Sequence, residues 1–255
     1  MLRTTFAAVA VIALWAGAAS ASTISISSFS VSSYNSLLGT LDDVVSEDFE
    51  DATVGNVSQG FMTDVGDFST LGGTGSGGTV SNANFSNNGS LLAIRDGNVY
   101  GRTSTTRLLT GNAADDQFLD SNDTFGIEWN VSLSNGAMFD QILLTLSDAA
   151  DTGASLRVVD NTGSSATLQT ASNGSQQVVF VDFGAFVNGA TILFENRSSN
   201  GFLKNDGFSL DDIAIGTNGV PIDYDVPSPV PLPGAGLLLA AALGGLTVVR
   251  RRKAA

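Results

Sequence analysis

Alternation of apolar and polar positions, not helical periodicity, organises the chain between Ser22 and Gly219. Phe125, Ile127, Trp129, Val131 and Leu133 alternate with Gly126, Glu128, Asn130 and Ser132, the period of two that marks a half-buried strand. The same reading predicts strands over 141–146, 155–159, 177–183, 191–195 and 208–215. Turn-forming clusters separate them: Ser134-Asn135-Gly136, Asp151-Thr152-Gly153, Asp160-Asn161-Thr162-Gly163, Ser172-Asn173-Gly174, Asn188-Gly189 and Asn205-Asp206-Gly207. Short strands at spacings of ~8–12 residues or somewhat more predict an all-β fold, an antiparallel β-sandwich or jelly roll. One such domain is expected over 22–219, with its core from about residue 45. Residues 23–34 alternate weakly through Ile24, Ile26, Phe29 and Val31, and are expected to add a strand or to pack on the sandwich edge. Residues 56–88 read as a surface loop, because Leu71-Gly72-Gly73-Thr74-Gly75-Ser76-Gly77-Gly78 is nearly featureless. A phosphate-cradling reading of that run would need a Lys and a following helix, and neither is present.

The two ends break this pattern. Met1-Leu2-Arg3 precedes an apolar run from Phe6 to Gly17 and small residues ending Ala19-Ser20-Ala21, which reads as a secretory signal peptide over 1–21, cut by signal peptidase after Ala21. The apolar run is too short to span ~30 Å of hydrocarbon at ~1.5 Å per residue. At the other end all five prolines fall between Pro221 and Pro233, marking an extended linker over 220–233. The uncharged stretch 234–249 follows, and then Arg250-Arg251-Arg252-Lys253 within the basic tail 250–255. With Val230 to Pro233 the apolar length reaches the ~20 residues a transmembrane helix needs, and the basic cluster holds the terminus on the cytoplasmic side of the inner membrane.

Charge and composition narrow the chemistry. Six cations and all 25 acids lie between these ends, a formal −19 within a whole-chain −14. Such a body repels nucleic acid. The chain has no Cys and no His, which removes cysteine nucleophiles, the Ser-His-Asp relay, the usual zinc sites and disulfides. Carboxylate, amide, hydroxyl and backbone chemistry remain. Glycoside hydrolysis needs two carboxyl groups across a cleft, yet Glu occurs only at 47, 50, 128 and 195, and strand alternation sets Glu128 and Trp129 on opposite faces. Trp129 is therefore expected in the core. Beyond the signal peptide it is the only Trp, beside Tyr34, Tyr100 and Tyr224, which leaves few platforms for stacking sugars. The seven Asn-x-Ser/Thr sequons reflect composition.

The order Val230-Pro231-Leu232-Pro233-Gly234, then a Leu/Ala/Gly stretch, then an Arg-rich end resembles the PEP-CTERM class of protein-sorting signals in its VPLPA-CTERM variant, with Gly234 where that variant has Ala. The resemblance implies a Gram-negative bacterium whose exosortase, a membrane-embedded protease, recognises the motif, removes the helix and passes the body to the cell surface or extracellular matrix. It covers about 26 of the 255 residues and speaks to destination.

Two acidic clusters bracket the body: Glu47-Asp48-Phe49-Glu50-Asp51, entering the first core strand, and Asp211-Asp212 in the last. Phe208 and Leu210 share one parity, Ile213 and Ile215 the other, so a bulge at the two aspartates is expected. This pairing resembles carbohydrate-binding and galactose-binding-like jelly rolls. The resemblance implies a structural calcium ion held by Glu50, Asp211, Asp212 and nearby carbonyls; solvated edge carboxylates are the alternative. Asp120-Ser121-Asn122-Asp123-Thr124-Phe125-Gly126 approximates the start of an EF-hand loop, but its Gly comes one place late and no Glu closes it, so a turn is expected. Two functional expectations follow: an exported, non-enzymatic surface or matrix protein, or a calcium-stabilised module that binds exopolysaccharide.

Overall fold

A computed structural model describes residues 22–73, 92–150, 154–169, 171–199 and 201–218, which all belong to one compact unit, Met1–Gly219. The predicted signal peptide, sorting motif, transmembrane span and basic tail lie outside the described residues. Among those residues no helix is long and apolar enough to cross a membrane.

The elements run β1 (Thr23–Ser28), α1 (Val31–Leu38), β2 (Asp42–Glu47), β3 (Gly55–Asn56), β4 (Phe61–Thr63), β5 (Gly66–Thr70), β6 (Ala93–Arg95), β7 (Asn98–Val99), β8 (Arg102–Thr103) and α2 (Thr106–Thr110). They continue through β9 (Phe118–Asp120), β10 (Gly126–Val131), β11 (Phe139–Ser147), β12 (Ala154–Asp160), β13 (Ser165–Leu168), β14 (Gln176–Val187), β15 (Ala190–Ser198) and β16 (Ser209–Thr217). Among the described residues one sheet has the order β1-β14-β11-β16-β9-β6-β3, with β2 also on β16, and a second has the order β13-β12-β15-β10-β5-β4. Every pairing is antiparallel, so the fold is an all-β sandwich.

The inner faces are set by alternation. Ile127, Trp129 and Val131 of β10 meet Ile192 and Phe194 of β15, Leu156 and Val158 of β12, and Ile142, Leu144 and Leu146 of β11 in one buried cluster. Trp129 is fully buried, stacked on Phe68 at 5.3 Å and 13°, and its indole Nε1 donates to the Val65 carbonyl at 3.1 Å. Phe68 in turn meets Phe49 edge-on at 5.9 Å. Ion pairs, amides and hydroxyls line the outward side of the second sheet: Asp67, Glu128, Asn130, Arg157, Thr191 and Glu195. The first sheet is covered on its outward side, where Tyr34, Leu37 and Leu38 of α1 pack with Leu143, Val178 and Ala214.

The strand expected within 23–34 is present as β1 on the edge of the first sheet, and it ends where the Ser30 hydroxyl and backbone form a capping box with Ser33 that starts α1. Two other expectations are corrected. In the region read as a loop over 56–88, Asn56 ends β3 and residues 61–63 and 66–70 are strands, with Phe68 pairing across from Trp129; residues 74–88 lie outside the described residues. The first acidic cluster leaves a strand instead of entering one: β2 ends at Glu47, and Phe49, at φ 60°, turns its ring into the core.

Gly126 opens β10 at φ 135°, and a Cβ there would lie 1.8 Å from the Phe194 carbonyl oxygen. Gly136, at φ 71°, has nothing within 4 Å of that position. Gly126→Ala is therefore expected to cost more than about 3 kcal/mol, or to abolish folding, because two paired backbones must separate. Gly136→Ala should cost only the left-handed backbone penalty of roughly 1–2 kcal/mol. Chemical denaturation of the two variants checks the order.

Candidate functional site

The bulge expected at the two aspartates is present. Leu143 pairs with Ala214 and Thr145 with Asp211, so Asp212 and Ile213 together oppose the single Leu144. Asp212 absorbs the extra residue at φ 46°. Phe208, Leu210, Ile213 and Ile215 consequently all reach the same core despite their change of parity. The other flank of β16 changes partner at the same place: β9 pairs up to Leu210 and β2 pairs from Ile213 onward.

Both carboxylates turn to the outward side of the sheet, under the segment leading into α2. Asp211, 1% exposed, accepts at Oδ2 from the Ser104 hydroxyl (2.8 Å) and from the backbone N–H groups of Thr105 (2.8 Å) and Thr106 (3.2 Å). Its Oδ1 accepts from the Asp212 N–H at 2.8 Å and the Thr106 hydroxyl at 3.3 Å. Asp212 accepts from the Thr106 hydroxyl at 2.8 Å and from the Thr105 hydroxyl. The Thr105 side chain makes no cap of its own for α2, so Asp211 caps that helix from a strand 106 residues away. Tyr34 of α1 donates to the Asp212 carbonyl at 2.8 Å and Thr145 to the Asp211 carbonyl at 3.0 Å.

Burial dominates the electrostatics. It pushes the Asp211 carboxyl well above the ordinary carboxylate range, with repulsion from Asp212 adding to it and the Ser104 hydroxyl opposing. Asp212 is pushed up to about 6 by burial, against the hydroxyls of Thr105 and Thr106. Burial and the two aspartates raise the Tyr34 phenol as well.

Glu50 is not part of this group. Its Oε1 accepts from the Gln117 N–H at 2.9 Å while Gln117 Nε2 donates to the Glu50 carbonyl at 2.9 Å, a reciprocal clamp on the chain entering β9. The turn after β2 commits Phe49 to the core and carries Glu50 the other way. Among the described residues no group of three or more carboxylates is arranged to hold a metal ion, and the Asp211 oxygens are already taken by protein donors. Glu50 is thus bonded to Gln117, apart from the hydrogen-bond network of Asp211 and Asp212.

The stretch resembling an EF-hand serves a cation of the protein's own. Asn122 and Asp123 turn at φ 53° and 54°, and Asp120 and Asp123 face the buried Arg102 guanidinium at 3.5 and 3.2 Å. Beside the first acidic cluster an open groove of about 460 Å³ is lined by Glu47, Asp51, Ala52, Phe61, Met62, Thr63 and Asp64. Burial raises Glu47 there, its bond from the Phe49 N–H opposing and Asp51, Asp48 and Asp64 adding.

Ser104, Thr105, Thr106, Tyr34 and Thr145 were not marked by the sequence. The run Ser104-Thr105-Thr106 is its one trace, and in a chain so rich in Ser and Thr it does not stand out.

No family model matches the chain, and no curated protein matches it. Solved structures similar to it include the CBM35 module from Cellvibrio japonicus Abf62, at 13% identity over 68% of this chain and 98% of that one, TM-score 0.26. A variant of CBM29-2, from the family 29 carbohydrate-binding modules, is 9% identical over 55% of this chain and 99% of that one, TM-score 0.25. Neither similarity bears on what this chain does.

Asp211→Ala would strand the Ser104 hydroxyl and two backbone N–H groups in a buried site at about 1–3 kcal/mol each, so a total loss of roughly 3 kcal/mol or more is expected. Glu50→Gln keeps an acceptor for Gln117 and should cost less than about 1 kcal/mol; denaturant midpoints and slopes separate the two. A carboxyl held protonated more tightly in the fold contributes stability below its unfolded pKa of about 4, and that contribution is lost as pH rises through about 6 for Asp212. The thermal midpoint in chelator should thus fall between pH 4 and 6.5, with a shallower fall in Asp212→Asn. Millimolar calcium should leave both curves in place; a large calcium-induced rise would mean that the two acidic segments rearrange around an ion.

Proposed function

We propose that this chain is an exported, non-enzymatic protein of the cell surface or extracellular matrix, sorted by an exosortase through Val230-Pro231-Leu232-Pro233-Gly234, the following helix and Arg250-Arg251-Arg252-Lys253. The observation that carries the non-enzymatic half is the fate of its most reactive pair. Asp211 and Asp212 are buried beneath the approach to α2, and their oxygens accept hydrogen bonds from the protein itself, so they hold structure and meet no substrate. The chain has no His or Cys to replace them. Its tripartite tail, with the signal peptide ahead of the body, supports the route: export, transient anchoring in the inner membrane, then release to the surface.

A second reading, a module that binds exopolysaccharide, is favoured by the groove that sets Phe61 and Met62 beside the carboxylates of Glu47, Asp51 and Asp64. An apolar surface flanked by acceptors suits a sugar ring. Against it, the outward side of the second sheet presents no row of aromatic rings among the described residues.

Cell fractionation of the intact protein and of a version ending before Val230 tests the first reading. Intact protein at the surface or in the matrix and truncated protein in the periplasm or medium is the expected result; cytoplasmic protein in both cases refutes it. Electrophoresis through the producer's own polysaccharide decides the second, with retardation lost in Asp64→Ala as its required outcome.

A further inference from the structure

The residue that signal-peptide removal would expose occupies a defined place in the sandwich. Ser22 is 5% exposed, although it immediately precedes β1 at the edge of the first sheet. Its hydroxyl donates to Oδ2 of Asp160 and lies 2.9 Å from the Thr162 hydroxyl, while its carbonyl accepts from the Ser164 hydroxyl at 2.7 Å. These partners belong to the end of β12 and the turn into β13, at the edge of the second sheet, against which β1 lies.

Asp160 itself is unusual. It shares the parity of Leu156 and Val158 on the inner face of β12 and is 4% exposed. Its Oδ1 is used by the turn, accepting from the N–H groups of Thr162 (2.9 Å) and Ser164 (3.0 Å) and from the Thr162 hydroxyl (2.7 Å). Its Oδ2 receives the Ser22 hydroxyl. The ion pairs among the described residues go to Asp120, Asp123 and Glu195, so no Lys or Arg neutralises Asp160 there. A buried carboxylate without a cation is costly, and this one turns one oxygen toward the first residue of the body.

We infer that the α-ammonium group created by cleavage after Ala21 is the missing partner, and that Asp160 is a docking site for the mature amino terminus. Within a serine the α-nitrogen lies about 3–4 Å from Oγ, so the new charge arises within roughly 6 Å of Asp160 Oδ2. Before cleavage the same atom is a neutral amide. Processing thus adds an ion pair that fastens the free edge of the first sheet to the β12–β13 turn. The inference rests on the export reading for the cleavage, and on the described contacts for the docking.

The test compares the chain from Ser22 to Ala255, in mild detergent, with a free and with an acetylated amino terminus, which differ only in charge and one small group. The free form should melt about 2–4 °C higher, as a partly buried pair of ~1 kcal/mol would give in a domain of this size. In Asp160→Asn that difference should vanish. Equal midpoints for the free and acetylated forms with Asp160 intact overturn the docking, as does a difference that persists in Asp160→Asn. If Asp160→Asn does not fold, the first comparison still decides. Amino-terminal sequencing of protein recovered from producing cells tests the cleavage separately: a start other than Ser22 removes the export reading at that point. A Ser22 start with equal midpoints leaves cleavage standing and removes the docking alone.

Discussion

The Asp211 carboxylate beneath the approach to α2 is the interaction on which the arrangement of the first sheet depends. It sits on a bulge that lets β16 keep an apolar inner face on both sides of an extra residue, and it supplies the acceptors that α2 lacks at its own amino end. A carboxylate so deeply buried is tolerable only because two N–H groups and a hydroxyl converge on one of its oxygens. The Thr105 and Thr106 hydroxyls extend the same network to Asp212, and Tyr34 ties α1 to it from the other side. Strand, loop and two helices are thereby held through one pair of residues, α2 by their carboxylates and α1 by the Asp212 carbonyl.

That network also explains why the two sheets differ on their outward sides. The first is roofed by α1 and by the chain through β7, β8 and α2, because its outward positions include Leu143, Val178 and Ala214, which require cover. The second has no such need, since its outward positions carry charges and amides paired across strands, as in Arg157 with Glu195 at 3.0 Å. Arg102, buried against Asp120 and Asp123, fastens the roof at its start. Electrostatics here serves assembly: an acidic chain with few cations spends several of them on joining loops to sheets.

The same economy bears on function. The body has no His or Cys, and its adjacent aspartates Asp211 and Asp212 are buried, which is what the non-enzymatic proposal rests on. Its ends then take on weight. In the proposed reading the tail sequence directs where the body goes, while Ser22 lies folded into the sandwich edge beside Asp160. If the export proposal holds, processing and folding meet at that residue.

The sequence by itself determined the all-β class, the strands β10, β11, β12, β14, β15 and β16 but not the short β13 between them, the burial of Trp129 and the bulge at Asp211 and Asp212. Each of these is written in the parity of near neighbours, which physics reads through burial of one strand face. It was silent on Ser104, Thr105 and Thr106, which look like any other hydroxyl-rich stretch until β16 is laid beneath them. The grouping of Glu50 with the aspartates came only from the resemblance to carbohydrate-binding jelly rolls; the turn at Phe49 carries Glu50 to Gln117. The sequence read residues 56–70 as loop, although Phe68 belongs to the core, since three- to five-residue strands carry too little alternation to register. Tertiary structure decided these because each depends on which distant segments meet, and a hydrogen bond between residues 106 apart leaves no local pattern in either.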